Sequence, residues 1–129
     1  MRQVHSLAAG QWVAPGPGAR AIQSAITGDT IAQSGNDALD VQVMRGFARD
    51  VGATAIQAMT IHDRARMLKT LALHLRAHHE TLYDLSFDTG ATQADHLIDV
   101  DGGIGTMLVF ASKGRREMPD GRVYLDGPP

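Results

Sequence analysis

A capped helical repeat in the middle of the chain is the feature that most limits what it can fold into. Thr60 is followed three residues later by Asp63, which is typical of a capping box at the start of a helix. Apolar residues then recur at spacings of three and four, as on one face of a helix. They are Ile61, Ala65, Leu68, Ala72 and Leu75, with Leu71 beside them. The pattern predicts an amphipathic helix that begins after Thr60.

Two further stretches show the same helical period. One begins near Asp40, and Gly52 predicts a break in it because glycine destabilises a helix by about 1 kcal/mol relative to alanine. The other runs from Glu80 to Thr89 and is ended by Gly90. The apolar positions are Met44, Phe47, Ala48, Val51 and Ala55 in the first stretch, and Leu82, Leu85 and Phe87 in the second.

A fourth helix begins at Thr92, where Asp95 repeats the capping-box signature. Its apolar residues are Leu97, Ile98, Ile104, Leu108 and Ala111. This helix also contains Gly102, Gly103 and Gly105, which are costly in a helix unless a neighbour packs closely against its backbone. Beyond residue 114 the chain becomes polar and rich in turn-forming residues.

The residues before Asp40 predict short strands and turns. Trp12–Val13 is a brief strand signal, stopped by Pro15–Gly18. Two extended runs, 21–26 and 30–32, flank a turn at Gly28 and predict a hairpin. The sequence therefore predicts an α+β fold, with strands and turns over residues 1–35, about four helices over residues 36–114 and an exit segment over residues 115–129.

Composition excludes several classes of function. The net charge of −2 gives no electrostatic attraction to nucleic acid or to an anionic membrane. The absence of cysteine rules out disulfides, thiolate zinc sites and a cysteine nucleophile within these residues. No stretch approaches the ~20 apolar residues of a membrane span, and the first residues do not form a signal peptide. We expect a cytoplasmic protein without nucleic-acid or membrane partners.

Two histidines raise the question of a metal site. His74 and His78 lie one helical turn apart, a spacing that can place two imidazoles on one metal ion. However, Leu75 stands where metalloproteases carry a glutamate, and the pattern supplies no third ligand. A solvated basic helix end, stabilised by the helix dipole, also explains both residues. We favour that explanation and predict no metal.

The start of the fourth helix carries several carboxylates. Asp95 and Asp99 lie one turn apart beside His96, and Asp101 follows, so a paired-carboxylate site for acid–base chemistry is one interpretation. The other is an acidic face near a helix N-terminus, where negative charge is stabilising. We favour the acidic face.

The glycines of the same helix are similar to those of a phosphate-binding loop. A dinucleotide fingerprint, however, needs its glycines between a strand and a helix, whereas Gly102–Thr106 falls inside a helical pattern. The last glycine of the fingerprint, G-x-G-x-x-G, is also missing. We favour a helix that needs small residues on one side, where another backbone packs closely.

The order of several short motifs resembles the N-terminal part of aldehyde dehydrogenases. Gly10–Val13 is similar to their G-x-W opening, and Ala25–Asp29 to their P-x-T-G-E turn without its proline. Asp63–Leu68 is similar to E-R-A-x-x-L, Leu85–Gly90 to x-x-x-E-T-G, and Phe110–Ala111 to the Y-Y-A helix end. Together these motifs cover nearly the whole chain in the family's order.

Three stretches are most similar to one branch of that family, the aldehyde dehydrogenase domain of the bifunctional phenylacetate-degradation enzyme. They are Ala58–Thr60, Thr89–Asp95 and Asp101–Thr106. The resemblance implies an enzyme of aromatic catabolism that oxidises a CoA-linked semialdehyde to its carboxylate with NADP or NAD. It also implies a homo-oligomer and a fused enoyl-CoA-hydratase-like domain.

The resemblance also implies what this chain lacks. Residues 36–114 would be the helical part of the nucleotide-binding domain of an α/β fold, with the catalytic domain absent. The family's cysteine nucleophile, glutamate base and oxyanion-hole asparagine have no counterpart here, so we assign no catalytic and no cofactor-binding residue. The chain alone should be inactive, and its partner should be the remainder of its own polypeptide.

The expected contribution of these residues is the shape of a substrate tunnel. In the family, the helix similar to His96–Ala111 lines the entrance for the aldehyde, so Ile98, Gly102 and Gly103 are the candidate tunnel-lining residues. Gly102 stands where the family often carries a larger apolar side chain, and we expect the glycines to widen the entrance for a bulky substrate. Backbone packing against a neighbouring helix is the alternative explanation of Gly102 and Gly103. The alternatives are a free-standing helical interaction module and a truncated, non-functional relic.

Overall fold

The computed structural model describes residues 2–125 and residue 127, which fall into two compact units. The first unit comprises the chain up to Thr54 together with Asp88–Gly90. The second comprises Ala55–Phe87 and the chain from Ala91 onward. The first unit holds small sheets, and the second is helical. The mixed α/β content agrees with the predicted fold class.

Short strands form the sheets of the first unit. They are β1 (Arg2–Gln3), β2 (Ser6–Ala8), β3 (Gln11–Val13), β4 (Arg20–Gln23) and β5 (Thr30–Ser34). The predicted hairpin is confirmed: β4 and β5 pair antiparallel, and Gly28 in their turn has a φ of 77°, which glycine adopts without strain. β1 pairs parallel to β5, giving the order β1-β5-β4, and β2 pairs antiparallel to β3.

The predicted helix near Asp40 is confirmed, but the predicted break at Gly52 is wrong. The Asp40 carboxylate accepts hydrogen bonds from the first turn of α1 (Val41–Phe47). A π-helical segment, Ala48–Gly52, then leads into α2 (Ala53–Ala58). The N–H of Ala53 donates to the carbonyl of Ala48, five residues back, so the backbone widens and keeps its hydrogen bond instead of breaking.

The second unit contains α3 (Ile61–Ala77), α4 (His79–Phe87), α5 (Gln93–His96), a π-helical segment (Leu97–Asp101) and α6 (Gly102–Arg116). α6 runs two residues past the predicted boundary at residue 114. Within the described residues, no helix has both the length and the apolar character needed to cross a membrane.

Both predicted capping boxes are confirmed. The Thr60 hydroxyl accepts from the N–H of Asp63 at 3.1 Å, and the Asp63 carboxylate accepts from the N–H of Thr60 at 3.1 Å. Thr92 and Asp95 repeat the arrangement at 3.4 and 2.7 Å. These backbone hydrogen bonds hold the pKa of each aspartate below its usual range because they favour the charged form.

Small residues bring α3 and α6 together. Ala65 and Ala72 of α3 are buried, as the predicted stripe requires, whereas Leu71 beside them is 48% exposed. On α6, Ala111 is buried, and a Cβ added at Gly114 would lie 3.0 Å from the Cβ of Ala65. The two backbones therefore approach more closely than larger side chains would allow.

The predicted close packing at the other α6 glycines is wrong. A Cβ added at Gly103 or Gly105 would meet no described atom within 4 Å, and one at Gly102 would meet the carbonyl oxygen of Leu97 at 3.7 Å. The buried residues of α6 are Ile104 and Ala111, so α3 packs against those positions and against Gly114. Packing within this unit does not explain the three neighbouring glycines.

The segment after α6, which carries no helix or strand signal, is bound to the start of α3. The N–H of Ile61 donates to the carbonyl of Gly121 at 2.8 Å. The Arg64 guanidinium donates to the carbonyls of Met59 and Arg122, each at 3.2 Å. This role of Arg64 was not predicted from the sequence, because its acceptors are backbone oxygens without a sequence signal.

Candidate functional site

The candidate tunnel-lining residues are accessible. Ile98, in the π-helical segment Leu97–Asp101, is 73% exposed, and Gly102 and Gly103 at the start of α6 are also exposed. They carry no charge, and the space where a Gly103 side chain would stand is open. Among the described residues, nothing fills the space next to the helix at Gly103.

A buried histidine lies just before the exposed residues. His96 is 1% exposed, and its ring stacks on Tyr83 at 4.8 Å and meets the edge of Phe87 at 4.5 Å. Neither ring nitrogen has a hydrogen-bond partner among the described residues. The predicted placement of His96 on an exposed acidic face is wrong. The aromatic pair one turn apart on α4 is the signal that could have found it.

The carboxylates of this region have separate partners. Asp95 caps α5 through Thr92, and Asp99 is exposed, so the predicted acidic face is confirmed for these two residues. It is wrong for Asp101, which is half-buried and accepts a hydrogen bond from the Tyr83 hydroxyl at 2.5 Å. The carboxylates therefore do not form the alternative paired site.

The hydrogen bond to Asp101 changes the acidity of Tyr83. Together with partial burial and the nearby negative charge, it raises the pKa of Tyr83 to about 12, because each effect disfavours the phenolate. At neutral pH the Tyr83 phenol is protonated and donates a hydrogen bond to Asp101. The cluster formed by Tyr83, Phe87, His96 and Asp101 consequently gives this site shape and rigidity.

Titration of the tyrosines should reveal this bond. Tyr83 should ionise near pH 12, and Asp101→Leu should return its pKa toward the usual value of about 10. Since the pKa is raised in the folded state, the stabilisation is present below about pH 10 and is lost as the pH rises toward 12. Ultraviolet difference spectra would measure this, with Tyr83→Phe identifying the signal beside Tyr124. An unchanged titration in Asp101→Leu would contradict the assignment.

The two helical histidines lie on the surface of α3 and its end. The Nδ1–H of His78 donates to the carbonyl of His74 at 2.8 Å, and the rings lie 4.4 Å apart. Both side chains are exposed, as the solvated helix end predicts. In the part of the chain that the structure describes, no three potential ligand residues are placed to bind a metal ion.

Comparison with known proteins identifies the relationship. Over 107 residues the chain is 34% identical to a 3,4-dehydroadipyl-CoA semialdehyde dehydrogenase of Aromatoleum evansii. The matched part of the chain is therefore similar to part of an aldehyde dehydrogenase. The match covers 82% of this chain and 21% of the length of that relative. No protein-family model matches the chain.

This similarity confirms the resemblance that the ordered motifs predicted. The small sheets and helices are compatible with a piece of an aldehyde dehydrogenase. The division of the chain into a strand region, a helical part of the nucleotide-binding domain and an exit segment stays a prediction. So does the tunnel-lining role of Ile98, Gly102 and Gly103.

Proposed function

We propose that this chain is the N-terminal part of an NAD(P)-dependent aldehyde dehydrogenase that oxidises a CoA-linked semialdehyde to its carboxylate. The observation that carries the proposal is the 34% identity to an enzyme whose name specifies a CoA-linked semialdehyde. The chain spans 21% of the length of that relative, which supports a part rather than a whole enzyme. The longer protein that would contain this chain is called the intact enzyme below.

The motif resemblance makes the proposal more specific. It favours phenylacetate catabolism, NADP as the cofactor with NAD as the alternative, and a fused enoyl-CoA-hydratase-like domain. A cytoplasmic homo-oligomer is part of the same proposal. In such an enzyme the nicotinamide would accept a hydride, and a cysteine thiol would bind the aldehyde covalently.

The role of this chain in that reaction is structural. It contains no cysteine, so the reacting thiol must come from elsewhere in the intact enzyme. Ile98, Gly102 and Gly103 would line the entrance for the aldehyde, with the glycines leaving room for the CoA-linked group. Glycine at these positions costs about 1 kcal/mol each in a helix, which is consistent with a requirement for open space.

The packing of the chain supports burial against further polypeptide. The buried apolar residues of the described chain are Ala8, Ala32, Ala65, Ala72, Ile104 and Ala111. Most are alanines, which contribute little hydrophobic stabilisation because little apolar area is removed from water. Large apolar side chains such as Trp12 and Phe110 are instead more than half exposed. An aldehyde dehydrogenase would cover such residues with its other segments.

Steady-state kinetics of the intact enzyme would test the proposed substrate and cofactor. We expect a CoA-linked semialdehyde to be oxidised with a higher kcat/KM than the same semialdehyde without CoA, because binding of the CoA group contributes to transition-state stabilisation. NAD and NADP would be compared in parallel. Equal kcat/KM with and without CoA would contradict the substrate class, and failure to reduce either cofactor would contradict the reaction.

A further inference from the structure

The π-helical segment Leu97–Asp101 is not held in place by burial of its own side chains. None of its residues is buried, and Leu97 and Ile98 are 62% and 73% exposed. No side chain caps its start. Because π-helical turns are rare and usually short, contacts at the ends of the segment must select this geometry over a regular α-helix.

One side chain of α4 contacts both ends of the segment. The ring of Tyr83 stacks on His96, the residue immediately before it, with 4.8 Å between ring centroids and 19° between planes. The hydroxyl of Tyr83 donates to Asp101, the last residue of the segment, at 2.5 Å. Phe87 meets the edge of the His96 ring, so the histidine contacts two aromatic rings of α4.

These two contacts fit the π geometry better than an α-helix. His96 and Asp101 are five residues apart, and at about 100° per residue an α-helix would turn their side chains about 140° away from each other. In the π-helical segment the N–H of Gly102 donates to the carbonyl of Leu97, five residues back. Residues five apart then lie on the same side of the helix, as residues four apart do in an α-helix, and Tyr83 can reach both.

The register of the segment determines where Ile98 points. α6 is held against α3 by Ala111 and Gly114. A change from π to α register would therefore turn the residues that precede α6, including Ile98. An extra or missing residue in one turn rotates the preceding residues by about 100° relative to those that follow. The direction of Ile98 relative to Gly102 therefore depends on this turn.

We propose that Tyr83 and Asp101 are positioning residues that keep the Leu97–Asp101 segment in its π register and thereby fix Ile98 relative to Gly102 for selection of a bulky aldehyde. The proposal rests on the proposed function for the role of Ile98 and Gly102 at the entrance. The contacts that hold the segment are independent of that function. A test can therefore separate the positioning role of Tyr83 and Asp101 from the proposed function.

The intact enzyme offers matched variants for this test. Tyr83→Phe keeps the ring stack and removes the hydroxyl, whereas Asp101→Leu removes the acceptor. Asp101→Asn keeps an acceptor oxygen and is the conservative rescue, and Asp99→Leu is the control because Asp99 is an exposed carboxylate of the same segment. The measurements are KM and kcat for a CoA-linked semialdehyde and for a small aliphatic aldehyde, and hydrogen exchange of the amides of residues 97–102.

Tyr83→Phe and Asp101→Leu should lower the kcat/KM ratio of the bulky to the small aldehyde about tenfold, mainly through KM for the bulky one. They should also speed exchange of the 97–102 amides, while Asp101→Asn and Asp99→Leu stay close to the wild type. An active wild type whose Tyr83→Phe and Asp101→Leu variants match Asp99→Leu in selectivity would overturn the positioning role and leave the proposed function standing. An inactive wild type would overturn the proposed function, and unchanged exchange in every variant would overturn the role of Tyr83 and Asp101 in holding the register.

Discussion

Gly114→Leu should lower the free energy of unfolding of the chain by about 3 kcal/mol, the upper part of the usual range for overpacking a well-packed interface. The reason is the approach of α6 to Ala65, where even a single added Cβ would stand 3.0 Å from the alanine Cβ. The branched side chain adds three further carbons, so the helices must separate and expose Ala72 and Ala111. Removal of a helical glycine offsets only about 1 kcal/mol of this loss.

A second glycine of the same helix provides the control. Gly103→Ala should raise the free energy of unfolding by up to about 1 kcal/mol, because its Cβ would meet nothing within 4 Å and alanine stabilises the helix. Urea unfolding of the chain, followed by circular dichroism, would measure both variants. Opposite shifts of the midpoint are expected. Equal shifts in one direction would show that helix propensity, and not the contact with Ala65, determines the result.

Gly102→Met should reduce kcat/KM of the intact enzyme for a CoA-linked semialdehyde about 100-fold, equivalent to roughly 2.8 kcal/mol. The exposed glycine at the start of α6 has room for a side chain in this unit, so the helix should tolerate methionine. The side chain would extend into the proposed entrance and obstruct the larger substrate. The kcat/KM for a small aliphatic aldehyde should fall much less, since that substrate needs less of the space.

Gly46→Met is the matched control for this prediction. It makes the same change in a helix of the first unit, where an added Cβ also meets no described atom within 4 Å, at a residue that is not among the proposed entrance residues. It should leave the ratio of the two kcat/KM values unchanged. If Gly102→Met lowers kcat/KM equally for both substrates, the hypothesis that glycine widens the entrance is wrong.

Local chemistry explains which parts of the fold were predictable from the sequence. The capping boxes at Thr60 and Thr92 use two residues three positions apart, and both form as predicted. The β4–β5 hairpin likewise depends on a turn between neighbouring strands. In these cases the interacting atoms lie within a few residues of each other, so propensity and spacing are sufficient.

The remaining features depend on contacts between distant segments. His96 is buried because Tyr83 and Phe87 of another helix enclose its ring, whereas the aspartates near it in the sequence favoured the surface. Gly114 was not singled out among the glycines because its importance depends on Ala65 of α3. The π-helical segments have no local signature, since the sequence pattern alone does not distinguish them from α-helix.

The central claim is that these helices border a reaction whose thiol lies elsewhere in the intact enzyme. Its most direct test is the formation of reduced nicotinamide from a CoA-linked semialdehyde, measured with the intact enzyme and with residues 1–129 alone under the same conditions. We predict turnover by the intact enzyme and none by residues 1–129, which contain no cysteine. Turnover by residues 1–129 alone would contradict it.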